Sequence, residues 1–226
     1  MTASPQSIAV LGGTGHLGHA LARRWARAGH HVTLGSRSAE RAAEAAAQLA
    51  QALGRPVAGA ANREAAATAD IVVVTVPFDS QAGVLAEIRE VVAGKLVVDT
   101  TVPLKAPKVM RVQLPPEGSA AQRAQAMLGE AVTLVSAFHN VAAHKLAADE
   151  VVDCDVLVFG DDKAARQRVV RLAHDAGLRG LHGGALANSA AAEALTSVLI
   201  FMNKTYAIDG AGLRITGTLV TPGEVV

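Results

Sequence analysis

At 226 residues, half of them hydrophobic and 18% charged, the chain can bury roughly 70% of the surface its unfolded form exposes, which excludes a disordered polymer. The formal net charge of +1 supplies no electrostatic case for a nucleic acid or an anionic membrane as partner. Aromatics are only 3%, so the core is built from Ala, Val and Leu, and the single cysteine, Cys154, excludes an intrachain disulfide and fits a reducing cytoplasm.

Residues 8–11 read as a strand, and the polar segment before them carries no basic region or cleavage pattern, so no signal peptide is expected. A helix over His16–Ala28, stopped by Gly29, leads to a second strand over 31–34 and a helix over Ala39–Leu53, stopped by Gly54. Residues 57–60 form a weak third strand and 71–76 a continuous apolar one, the pattern of a strand with helices on both faces. A helix over 81–92 and a fifth strand over 96–98 continue the alternation, which specifies right-handed crossovers and a doubly wound sheet. The rhythm then breaks: Pro103, Pro107, Pro115 and Pro116 keep 102–118 largely non-helical. Strands over 132–136, 156–159 and 178–181 follow, the last two separated by a helix over 163–176, and 185–206 is a long apolar helical pattern. No apolar run reaches the about 20 residues of a membrane span, so the expected setting is a cytoplasmic protein.

Gly13-Thr14-Gly15-His16-Leu17-Gly18 matches G-x-G-x-x-G, with Gly12 in front of it. The motif alone is weak, but here it follows a strand at once and opens a helix, as a dinucleotide-binding turn requires. One glycine permits the turn, one lets the backbone approach a pyrophosphate, and one lets helix and strand pack closely. The pyrophosphate then meets the positive end of the helix that begins at His16. The end of the second strand selects the dinucleotide. NAD-binding chains place an Asp or Glu there for the ribose 2′-hydroxyl, whereas this chain has Ser36 and Arg37, with Arg41 in the next helical turn. A guanidinium fork suits a phosphate dianion, so NADP(H) is the expected ligand. The fold class is therefore α/β, a Rossmann-type doubly wound and mostly parallel sheet. Residues 7–182 form the NADP-binding domain with its additional strands, and 183–226 a helical C-terminal extension for the acceptor pocket or a dimer contact.

These segments, with Val97-Val98-Asp99-Thr100-Thr101-Val102-Pro103, Ser136-Ala137-Phe138-His139-Asn140-Val141, Gly160-Asp161-Asp162 and Ala211-Gly212-Leu213-Arg214-Ile215-Thr216-Gly217, resemble the NADPH-dependent reductases of the deazaflavin coenzyme F420. The likeness runs from Ile8 to Gly217, with Ala142 and Ala143 standing where some members carry Pro. The resemblance implies a Rossmann domain and metal-free hydride transfer between NADP(H) and coenzyme F420 as co-substrate, the two rings stacked. It matches Thr14, Ser36, Arg37 and Arg41 to NADP-binding positions, and Thr75, Val76 and Pro77 to the strand end beside the nicotinamide ribose. Val102, Pro103, His139, Asn140 and Val141 would line the acceptor pocket. The deazaflavin also carries a phosphate and a glutamyl tail, which the basic loop of Lys105, Lys108 and Arg111 is placed to meet, unless that loop is simply solvated.

Such chemistry needs positioning and water exclusion more than covalent help. His139 either hydrogen-bonds an acceptor oxygen as charge develops, which would make it the catalytic candidate, or is a strand-end histidine bonded to backbone. Asn140 is expected to cap a helix beginning near Val141. Histidine spacing gives no metal site, and Asp161 and Asp162 read as helix caps. Two other functions compete: an NADPH-dependent reductase of another acceptor (flavin, quinone or small carbonyl), and a non-catalytic NADP-sensing module. A carbonyl reductase lacks its proton donor here, since Tyr206 is the only tyrosine.

Overall fold

The computed structural model describes residues 4–148 and 150–219. Positions 220–226 of the expected extension lie outside the described residues. The first half runs β1 (Ser7–Leu11), α1 (His16–Ala28), β2 (His31–Ser36), α2 (Ala39–Leu53), β3 (Ala58–Ala61), α3 (Asn62–Thr68), β4 (Ile71–Val74), α4 (Phe78–Ile88) and β5 (Leu96–Asp99). The second half runs α5 (Ala120–Leu128), β6 (Thr133–Ser136), α6 (Ala143–Ala147), β7 (Asp155–Phe159), α7 (Lys163–Asp175), β8 (Arg179–Gly184) and α8 (Ser189–Tyr206). The eight strands form one sheet in the order β3-β2-β1-β4-β5-β6-β7-β8. Every neighbouring pair is parallel except β6 and β7, which meet antiparallel through Ser136 and Phe159. The direction of winding reverses between β1 and β4, which opens a crevice beyond the carboxyl ends of those strands.

Each face of the sheet carries a core of small and branched side chains. One gathers Val10, Val73 and Val98 with α1, α2 and α7 around the fully buried Trp25. Trp25 meets its polar requirement by donating from Nε1 to the Leu172 carbonyl at 2.8 Å, and its ring stands edge-on to Phe138 at 5.8 Å. The other face packs Leu11, Val72, Val74 and Val97 against α3, α4 and α5.

α1 and α2 have the bounds their periodicity predicts, because Gly29 and Gly54 close them in the left-handed conformation. Two helices have no counterpart in the sequence reading. α3 is only seven residues long and has no side-chain cap, too short for a periodic signal. α5 does have one: the Ser119 hydroxyl accepts from the Gln122 amide at 3.0 Å, an N-cap in the readable pattern S-x-x-Q. α4 begins at Phe78 rather than 81 and stops at Ile88 rather than 92, ahead of a turn through Gly94 at φ +75°. The long apolar pattern at 185–206 divides into a 3₁₀ turn, Leu186–Asn188, and α8.

Candidate active site

Gly12, just ahead of the G-x-G-x-x-G stretch, makes the turn. Its φ is +79°, and a Cβ there would stand 2.9 Å from the Thr75 carbonyl oxygen. Gly15 is the N-cap of α1, with only the Gly12 carbonyl near a virtual Cβ, so its outward side is open for a ligand. Gly18 is the close-packing position, because a Cβ would fall 2.3 Å from Thr75 Oγ1 and 2.7 Å from the Gly12 carbonyl. Thr75 in turn donates its hydroxyl to the Leu11 carbonyl at 2.8 Å, which ties the end of β4 to the end of β1. Leu17 faces the core, and His16 does not line the main cleft.

That cleft, of about 970 Å³, brings Thr14, Gly15, Ser36, Arg37, Arg41 and the Thr75–Val76–Pro77 segment together. The cationic wall is local in origin. Ser38 caps α2 by accepting from the Arg41 amide at 3.2 Å, which sets Arg41 in the first turn beside the strand end that carries Arg37. No carboxylate closes β2, and among the described residues neither guanidinium is taken up in an ion pair. The opposite wall comes from α3 and α4 and was not anticipated: Asn62, Asp79, Ser80, Gly83, Val84 and Glu87. Asn62 is buried, donates to Glu87 Oε2 at 3.4 Å, and leaves Oδ1 without a partner. Part of this wall stands on α3, a helix too short to show a period in the sequence. These features fit a phosphorylated dinucleotide: amides and a helix N-terminus at the turn, and two cations at the strand end where a 2′-phosphate would lie.

A second hollow, of about 660 Å³, opens across the phosphate turn between α1 and α6. His16, His19, Ala143 and His144 line it with Thr14 and Gly15.

The proposed acceptor residues stand at the neighbouring strand ends and do not line the main cleft. Val102 and Pro103 follow β5; Val102 is half-buried and Pro103 buried. Beyond β6 the chain passes through Phe138 at φ +66°, a left-handed conformation that is strained for a bulky residue. This bend returns His139 toward its own strand, where His139 Nε2 lies 2.7 Å from Ser136 Oγ. His139 is therefore partnered by a side chain and not by backbone. Burial pushes its pKa down to about 4, so the imidazole is neutral at pH 7. Asn140 does not cap a helix: α6 begins at Ala143 with Ala142 as an uncapped N-cap. The Asn140 amide donates instead to the Ala192 carbonyl at 2.9 Å and to Thr196 Oγ1 at 3.0 Å, both on α8. Thr196 also donates to the His139 carbonyl at 3.1 Å. Val141 is half-buried beside them.

Two buried carboxylates stand behind this wall. Asp99, at the end of β5, accepts from Gln81 Nε2 at 2.6 Å and from the Thr101 amide at 3.1 Å. Glu193, on α8, accepts from the Ala120 and Ala121 amides at 2.6 and 3.1 Å and so caps α5 from outside. Burial raises Asp99 to about 6 and Glu193 to about 8. Neither signal is readable locally, because each depends on contacts from distant elements.

Among the described residues no group of three or more His, Cys, Asp or Glu side chains gathers as for a metal, and no helix is long and apolar enough to cross a membrane. Residues 7–103 match the family described as NADP oxidoreductase, coenzyme F420-dependent. The F420-dependent NADP reductase of Methanothermobacter thermautotrophicus is 43% identical over 219 residues, covering 92% of this chain and 94% of that protein. The enzyme of the same name from Methanocaldococcus jannaschii is 38% identical over 219 residues, with 92% and 97% covered. A crystal structure provisionally identified as an F420-dependent NADP reductase from Arthrobacter sp. FB24 superposes with a TM-score of 0.80 at 28% identity, covering 94% of this chain and all of that one.

Proposed function

This chain belongs to the family of coenzyme F420-dependent NADP oxidoreductases, and from that premise we propose that it passes a hydride between NADP(H) and the deazaflavin at the crevice beyond β1, β4, β5 and β6. The observation that carries the NADP half is the pair Arg37 and Arg41, unpaired among the described residues, on a strand end with no carboxylate. When bound, the nicotinamide and the deazaflavin supply the hydride donor and acceptor, and they need little beyond orientation and a dry site. The amides after Gly12 hold the diphosphate, and Thr75, Val76 and Pro77 form the floor beneath the nicotinamide ribose. Val102, Pro103 and Val141 exclude water on the acceptor side. His139 is the tentative catalytic group: a neutral imidazole offers a hydrogen bond to the acceptor's polar edge without carrying a buried charge.

Residues 7–182 serve as the nucleotide-binding unit in this reading, and the described part of the 183–226 extension, through residue 219, closes it. The grip of Ala192 and Thr196 on His139 and Asn140 supports that division. We also place the protein in the cytoplasm and as a homodimer, the latter supported by the exposed Val198 and Phe201 on α8. A spectrum tests the activity. Mixed with NADPH and oxidised deazaflavin, catalytic amounts of protein should bleach the visible absorbance of the deazaflavin. Bleaching that occurs only with a flavin or a quinone would move the protein to another acceptor.

A further inference from the structure

Phe78 opens α4 directly after Pro77, and its ring is buried. Two cations rest on it: Lys105 Nζ at 5.5 Å from the ring centre and the Arg123 guanidinium carbon at 4.9 Å. Lys105 comes from the loop after Val102 and Pro103, and Arg123 from α5. Cation–π contacts stabilise each of them without supplying a hydrogen-bond acceptor to either charged group. Among the described residues neither makes an ion pair or a hydrogen bond through its charged group. Arg123 lies in the first turns of α5, a helix with no acid in its first turn, so the positive end of the helix adds to the same field. Glu193, which caps that N-terminus through the Ala120 and Ala121 amides, is raised to about 8 and so carries little charge at neutral pH. Lys108 and Arg111 extend the basic surface along the loop, with Asp79 the acidic neighbour of Phe78 in sequence.

We propose that Lys105 and Arg123, held on Phe78, form an anion subsite at the rim between the NADP cleft and the acceptor wall, and that it takes a phosphate or carboxylate carried by the acceptor. The inference rests on the functional reading above for the identity of that acceptor. The 2′-phosphate and diphosphate of the dinucleotide have their own partners at Arg37, Arg41 and the glycine turn, so they do not occupy it. An anion here gives both cations the acceptor they lack and anchors the acceptor molecule outside the reacting ring, where it sets affinity and leaves the chemistry alone.

The test compares the wild type with the double variant Lys105→Ala, Arg123→Ala, both saturated with NADP⁺. Quenching of deazaflavin fluorescence follows binding of oxidised coenzyme F420 and of its chromophore without phosphate or glutamates. The double variant should bind the full coenzyme about tenfold or more weakly, since each charge-assisted contact is strong enough for that loss. Its affinity for the bare chromophore and for NADPH should not change. Restoring the charges as Lys105→Arg, Arg123→Lys should recover most of the affinity. Equal losses for both deazaflavins, or no loss for either, would overturn the subsite.

A second arm works without a deazaflavin. With NADPH saturating, inorganic phosphate should raise the melting temperature of the wild type more than that of the double variant. Equal shifts overturn the subsite. If the wild type binds no deazaflavin but shows the phosphate-dependent difference, the acceptor reading fails and the anion subsite stands.

Discussion

Arg37 and Arg41 reach one cleft from different elements, the first just past β2 and the second from the opening turn of α2. Ser38 makes that convergence possible: its hydroxyl takes the Arg41 amide and fixes how the helix leaves the strand. A charge-assisted hydrogen bond contributes about 1.5–3 kcal/mol. Losing both arginines should therefore weaken NADPH by roughly a hundredfold or more. NADH has no 2′-phosphate and should be nearly indifferent. Calorimetric titration of both cofactors into the Arg37→Ala, Arg41→Ala variant checks this, and parallel losses for the two would remove the phosphate assignment. Glycine positions differ in kind. Gly15→Val should abolish dinucleotide binding in a folded protein, because the open side of Gly15 faces the cleft where we propose the dinucleotide lies. Gly18→Ala should instead destabilise the fold, by about 1–3 kcal/mol, since its Cβ would collide with Thr75 and backbone. Cofactor titration beside chemical denaturation separates the two.

At the scale of elements, α8 connects parts of the site that are far apart in the chain. One of its turns holds His139 and Asn140 through Ala192 and Thr196, and the same turn caps α5 through Glu193. Asp99 acts on Glu193 through space, and Ser189 ties the same helix to the α5 cap by donating its hydroxyl to Ser119 Oγ at 2.9 Å. A carboxyl raised from its ordinary 4.5 to about 8 keeps a proton in the folded state that the unfolded chain has lost. Its contribution is full below pH 4.5 and is lost as pH rises through about 8; Asp99, raised to about 6, adds in the same direction. His139, held down to about 4, opposes this only up to about pH 6.5, so wild-type stability should show a net fall between pH 5.5 and 8, by at most about 1.4 kcal/mol per pH unit for one group. Glu193→Gln should flatten that slope and lower stability at pH 5.5, because the carboxyl meets each helix amide with a separate oxygen and Gln puts an NH₂ in place of one of them. Urea denaturation midpoints at the two pH values decide it, and an unchanged slope would free Glu193 from this role.

For the whole molecule, the outer face of α8 carries Val198 and Phe201, and Ile208 follows in the segment after it, all more than a third exposed. The opposite face of the same helix is committed to α5 and the sheet. An apolar surface of that kind on a packed chain suits a second copy better than water. Light scattering should give twice the 23.1 kDa chain mass, and Phe201→Glu should return the particle to a single chain. A wild type that scatters as one chain at micromolar concentration would end the dimer proposal.

The alternation of apolar strands and glycine-stopped helices was enough, by itself, to determine a doubly wound sheet, the bounds of α1 and α2, and the glycine turn between β1 and α1. Those features are set by contacts within a few residues: a C-cap glycine, a strand run, a turn that only glycine enters. The cationic end of β2 was legible for the same reason, and so was the family likeness carried by the segments at the strand ends. Short-range rules did not reach α3, which has too few turns to show a period, or the wall of Asn62 and Glu87 that it helps to build. Nor did they reach the partner of His139, which depends on the left-handed bend at Phe138, or the role of Asn140, which is taken by a helix more than 50 residues away. Asp99, Glu193 and the two cations on Phe78 acquire their properties only from neighbours that the sheet brings together. Burial and long-range charge are properties of the folded globule, so the tertiary structure alone decided them.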